Sequence, residues 1–184
     1  VLKTIGLGLA ALLVASVVLA NYLTSEYGFI SVGFGLSATA GTLAAGLVLG
    51  LRDLVHDLLG RSAMFAVIAL GAAVSYLISE PAIAIASGVA FTVAELCDYL
   101  VYVPLRQRAA IGDRRWSVAV ASSNIVGAII DTVVFLSIAF GMSTVTATAV
   151  GGQLVGKTWA TIGLLVTVWA IRAVLRQPRH TANL

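Results

Sequence analysis

The sequence predicts an all-α integral membrane protein: six transmembrane helices in one bundle, a single domain over 1–184, with both termini in the cytoplasm. Three observations carry this expectation. The chain is 60% hydrophobic and only 10% charged, with a mean hydropathy of +1.04, whereas a soluble domain carries about 25% charged residues. Apolar stretches recur at the roughly 20-residue length that a spanning helix needs. Finally, Lys and Arg occupy every second connection and are absent from the others, which is the asymmetry that orients helices in a membrane.

The first segment runs from Lys3 to Leu23. It is long enough to span, and no small-residue cleavage pattern follows it, so it reads as a true first helix and not as a removed signal peptide. The second runs from Ala38 to Leu58, and the third and shortest from Ala63 to Ser79. The fourth, Pro81 to Val103, opens on a proline; at the first turn its missing N–H costs nothing. Pro104 falls where that helix should stop. The polar stretch "AAIGDRRW" makes a turn before the fifth segment, Trp116 to Phe140. Gly141 closes the fifth, and Ser143 or Thr144 is placed to cap the sixth, Val145 to Arg172.

Orientation follows from the basic residues. Lys3 precedes the first helix, Arg52 and Arg61 flank the end of the second, and Arg106, Arg108, Arg114 and Arg115 lie between the fourth and fifth. Arg172, Arg176 and Arg179 follow the sixth. With six spans these all fall on the cytoplasmic side. Tyr22, Tyr27, Phe29 and Phe34 cluster towards the other face, as an interfacial aromatic belt does.

Ionisable groups inside spanning segments face the bundle interior and mark a site or pathway. They are few here: Glu95 and Asp98 on the fourth helix, Asn124 and Asp131 on the fifth, Gln153 and Lys157 on the sixth. Spacings of three, four and seven put each pair on one helical face. At ~1.5 Å rise per residue, Glu95, Asn124, Asp131 and Lys157 fall within roughly 10 Å of mid-bilayer. A purely structural role, with Lys157 neutralising Asp131 or Glu95, competes with a binding role. One lysine cannot neutralise three carboxylates, however. The remainder must be protonated, hydrated or matched to a ligand, which points to a polar solute in a cavity.

Other features carry less. Arg52, Asp53 and Asp57, near the end of the second helix, read as a gating or ion-pair network; His56 with Asp57 is the only arrangement with a metal-ligand look. No metal and no cofactor is expected. The single cysteine, Cys97, permits no intrachain disulfide and reads as a small apolar packing residue. Gly46 with Gly50, and Gly152 with Gly156, are small-residue pairs that let helices approach closely. The basic loop "RQRAAIGDRR" is explained by topology, so nucleic acid is not an expected partner. No phosphate-binding loop pattern occurs, so any coupling to ATP would need other chains.

The motifs together resemble the VUT family of vitamin-uptake and queuosine-precursor transporters. The resemblance spans nearly the whole chain, from "ANYLTSEYG" through "RDLVHDLLGR", "AELCDYLVY" and "SSNIVGAIIDTVVF" to "GQLVGKTWAT". It implies a multi-pass protein of the bacterial cytoplasmic (inner) membrane, not an enzyme, that imports a 7-deazaguanine such as 7-cyano-7-deazaguanine or its aminomethyl relative. The expected partners are this purine-like small molecule and membrane lipid, with homo-oligomerisation left open. A guanine-like edge offers N1–H and an exocyclic amine to a carboxylate, and its carbonyl needs a donor. Glu95 or Asp131 is expected on the donor edge, with Asn124, Gln153 or Lys157 on the acceptors. Phe91, Tyr99 or Trp159 would stack on the ring, and Asp98 would gate or carry a proton. The alternatives are a substrate-binding (S) subunit of an energy-coupling-factor vitamin transporter, a membrane enzyme acting on lipid through "DLVHD", and an assembly protein.

Overall fold

The computed structural model describes residues 2–106 and 114–175. Six α-helices lie among the described residues, one on each expected segment: α1 (Leu2–Tyr27), α2 (Thr42–Leu59), α3 (Arg61–Ile78), α4 (Pro81–Arg106), α5 (Arg114–Phe140) and α6 (Ala147–Leu175). By length and composition, α1 and α3 are able to cross a membrane outright, and Pro81–Cys97 and Ile125–Phe140 form shorter apolar helices.

The distribution of side chains is inverted relative to a soluble domain. Leu77 is 80% exposed and Leu7, Leu96, Ile125 and Val166 are also on the outside, while Lys157 is 4% exposed and Arg52, Gln153 and Thr132 are buried. Charged groups are almost never fully buried in water-soluble folds. In a membrane protein the outer face is solvated by hydrocarbon and polar groups collect inside.

Two departures from the expected boundaries have local causes. The second helix starts at Thr42 and not at Ala38, because Ala38 and Thr39 belong to a hairpin of β1 (Phe29–Gly33) and β2 (Leu36–Thr39). The strands are antiparallel, pairing Phe29 with Thr39 and Ile30 with Ala38, with an irregularity between Ser31 and Gly33. Phe34 (φ 55°) and Gly35 (φ 71°) make the turn; two positive φ angles match the twist of the flanking strands. The segment "GFISVGFGLSATAG" is apolar enough to merge with the second helix in a hydropathy reading, yet its aromatic, β-branched and glycine content favours strand and turn. At the other end, α6 is capped by neither Ser143 nor Thr144. A single 3-10 turn (Met142–Thr144) follows Gly141, and Thr146 Oγ1 accepts the Ala149 N–H at 3.2 Å, the position an N-cap side chain serves. The fourth helix also runs past Pro104 to Arg106. In the last turn, the proline removes only one helical hydrogen bond.

Close approach is set by small residues. Gly60 (φ 86°) alone joins α2 to α3; its N–H bonds to His56 O at 2.8 Å and its carbonyl accepts Met64 N–H at 3.1 Å, so one residue closes both helices. A Cβ on Gly46 would lie 2.6 Å from Ala160 Cβ and 2.8 Å from the Lys157 backbone. One on Gly156 would lie 2.6 Å from Thr42 Cγ2, and one on Gly152 would overlap the Ser37 carbonyl. The glycines thus seat α6 against α2 and the hairpin. The apolar core forms a seam of Leu13, Val17, Leu51, Val55, Met64, Ile68 and Phe91 from α1 to α4. That leaves the polar groups to α6 and the helix faces turned towards it.

Candidate functional site

The polar residues at the end of α1 tie it to two other elements. Thr24 Oγ1 accepts the Gly41 N–H at 3.2 Å, just before α2. Ser25 Oγ accepts the Glu80 N–H at 2.9 Å, just before α4, and donates to the Asn21 carbonyl at 2.9 Å. The hairpin is tied in turn to α6. Gln153 Nε2 donates to Thr39 Oγ1 at 2.9 Å, and Gln153 Oε1 accepts from Thr42 Oγ1 at 2.8 Å. Gln153 is therefore engaged at both ends of its amide by the residues that join β2 to α2.

Deeper along α6, Lys157 Nζ donates to Asp131 Oδ2 at 2.5 Å and to Thr132 Oγ1 at 2.8 Å. Pair and hydroxyl together answer the burial of the ammonium, which alone would cost several kcal/mol or about that order. Asp131 Oδ1 makes no hydrogen bond to a described side chain. A second ion pair joins Arg52 Nη1 to Glu95 Oε1. Arg52 also stands over the Phe91 ring, 5.8 Å from its centroid, and Phe65 meets that ring edge-on at 6.3 Å. Arg52 thus enters an ion pair, as its expected gating or ion-pair role allows, with a partner on α4. Standing two turns before the end of α2, Arg52 supplies a second cation that counting on Lys157 alone omitted.

Two cavities meet at these groups. The first, about 60 Å³, lies on the hairpin side and is lined by Asn21, Thr24 and Thr39, by Phe91, and by Asp131, Gln153 and Lys157. The second, about 380 Å³, continues towards the opposite end past Arg52, Ala94, Ile125 and Ile162. They share four lining residues, Leu49, Phe91, Asp131 and Lys157. These come one each from α2, α4, α5 and α6, so the Lys157–Asp131 pair and two apolar side chains form the partition.

Of the expected site residues, Asp131, Gln153, Lys157 and Phe91 are brought together on the first cavity. Glu95 is drawn to Arg52 beyond the partition, and Trp159 is 63% exposed on the outer face of α6. The side chains of Asp53, Asp57, Asp98, Tyr99 and Asn124 lie outside the described residues. One residue was missed: Asn21 is 3% exposed, lines the first cavity, and its Nδ2 has no hydrogen-bond partner. An unsatisfied buried donor costs about 1–3 kcal/mol. Val17, Asn21 and Thr24 follow helical spacing and share one face of α1, but that spacing alone does not tell a cavity-lining asparagine from a polar helix end.

Among known proteins, the model of the family described as "Putative vitamin uptake transporter" matches residues 77–171. That stretch covers α4, α5, most of α6, and with them Phe91, Asp131 and Lys157 of the partition. No curated protein and no solved structure matches the chain.

Proposed function

Because the chain belongs to this family of vitamin uptake transporters, we propose that it imports a flat, purine-like solute of the 7-deazaguanine class, such as 7-cyano-7-deazaguanine, across a bacterial inner membrane. The reading includes six spans with both termini cytoplasmic. The observation that carries it is the Asp131 carboxylate, pinned by Lys157 through Oδ2 and lining a cavity in which no described side chain bonds to Oδ1. A fixed carboxylate accepts adjacent N–H donors in a plane, which is what the N1–H and exocyclic amine of a guanine-like edge present. Phe91, on the same wall, offers a ring face for stacking.

The path runs from the first cavity to the second across the partition. At about 60 Å³ the first cavity has room for a few waters, and ligand sites of this kind occupy roughly 300–1,000 Å³. Entry of a bicyclic solute therefore requires Leu49 and Phe91 to move apart from α5 and α6. The second cavity, at about 380 Å³, is already of that size. In this scheme Asp131 is the primary ligand, and Lys157 orients it and meets an acceptor. Gln153 builds the wall that holds the hairpin, and Asn124 and Asp98 act in later steps of passage, whereas Trp159, on the outer face of α6, takes no part. Glu95 and Arg52 brace the partition from the far side.

The test is expression in a bacterium that lacks both queuosine synthesis and its own importer, supplied with 7-cyano-7-deazaguanine or its aminomethyl relative. The expected result is queuosine in tRNA for the parent chain and its loss for Asp131→Asn. No queuosine with the parent protein present in the membrane overturns the reading.

A further inference from the structure

Two carboxamides line the first cavity, and they are used differently. Gln153 has both ends bound to Thr39 and Thr42. Asn21 is equally buried, yet its Nδ2 bonds to nothing. Nothing in the packing requires a polar group there: Val17, one turn earlier on the same face of α1, belongs to the apolar core and also lines the cavity. A leucine of similar volume would satisfy the helix and remove an orphaned donor. An unpaired amide kept at such a place is one whose partner arrives from outside the chain.

We propose that Asn21 is a substrate-contacting, specificity-determining residue, donating from Nδ2 to a ring carbonyl of the solute while Asp131, across the same cavity, accepts from the solute's N–H edge. The proposal rests on the 7-deazaguanine reading for the identity of that carbonyl, but its structural premise, a donor reserved for a ligand, does not. In the guanine-type skeleton the C6 carbonyl is adjacent to N1–H, so a donor and a carboxylate on different walls engage neighbouring positions of one ring edge. Discrimination follows from the same geometry. A site that offers a buried donor rejects an analogue lacking the acceptor, because the donor is then left desolvated and unpaired.

The experiment uses the full chain, purified in detergent, as the parent and as Asn21→Leu and Asn21→Ala. Binding is measured for 7-cyano-7-deazaguanine and for its 6-thio analogue, which keeps N1–H for Asp131 but puts a much poorer acceptor in place of the C6 oxygen, and melting is recorded without ligand. The parent is expected to prefer the carbonyl compound by about tenfold or more, the equivalent of one buried hydrogen bond. In both variants that ratio should fall to about one, since the two changes remove the same contact. Without ligand, Asn21→Leu should melt at or above the parent. A preference retained in the variants overturns the proposal. So does a lower melting temperature in both, which would make Asn21 a structural residue. If the parent binds neither compound, the 7-deazaguanine reading fails separately. The melting comparison still decides whether the asparagine is held at the chain's own cost.

Discussion

Two buried ion pairs flank Phe91, and they differ in what they face. Asp131 and Lys157 both line both cavities, and the pair bonds further to the Thr132 hydroxyl. Arg52 lines only the second cavity, stands over the Phe91 ring, and binds a Glu95 that lines neither. The chemistry is the same, a carboxylate and a cation taken out of water. The difference lies in whether a solute can reach the oxygens. Burial and charge alone would rank the pairs together; the cavities separate them, and under the proposed function the first is the pair that would exchange a partner.

The largest expected effect comes from breaking the first pair. Lys157→Met strands Asp131 and should cost roughly 3–5 kcal/mol, the loss typical of removing one member of a buried pair, read as a fall in melting temperature together with loss of uptake. Adding Asp131→Asn should return most of the stability and none of the uptake. Breaking the second pair tests the contrast. Arg52→Met should cost about 3 kcal/mol by the same argument, but the double variant with Glu95→Gln should recover stability and uptake together. A well-folded double variant that fails to transport would place both pairs on the path and erase the distinction.

A smaller effect is expected at the wall. Gln153→Leu removes two buried hydrogen bonds and leaves the Thr39 and Thr42 hydroxyls without that partner, at about 2 kcal/mol. Faster amide exchange across Phe29–Thr39, with the Lys157–Asp131 pair unaffected, is the expected signature. The smallest effect lies far from both pairs. Phe34 is 93% exposed and holds a left-handed backbone at the hairpin tip. Asn tolerates that conformation better, so Phe34→Asn should raise stability by about 1 kcal/mol and leave uptake unchanged.

Much of the architecture was legible in the sequence because hydropathy in lipid is a strong local signal. Each of the six apolar segments contains one helix, and Pro81 opens α4 as its chemistry dictates. The hairpin was not legible. Its residues are as apolar as a helix end, so its strand-favouring composition is masked in a hydropathy reading, and the hairpin is fixed by the pairing of Phe29 with Thr39 and the seating of Gly152 on the Ser37 carbonyl. The cap of α6 shifted from Ser143 or Thr144 to Thr146 because a 3-10 turn intervenes. At the site, Asp131, Gln153 and Lys157 could be named from their spacing and depth, and Phe91 only as a stacking candidate that the family resemblance implies. Asn21 could not, since an asparagine near a helix end reads as an ordinary polar boundary until a cavity is found beside it.

The sequence by itself determined that the chain is a helical membrane protein, which family it resembles, and that several ionisable groups lie inside it. These follow from composition and from periodicity along single helices, which need no knowledge of neighbours. Only the tertiary structure decided the pairings. Whether Lys157 meets Asp131 or Glu95, whether Arg52 reaches the interior, and whether an amide is bound or orphaned all depend on how helices far apart in sequence are rotated against one another. Gly46 permits that rotation by letting α2 approach the Lys157 backbone closely, and no spacing within one segment encodes the angle.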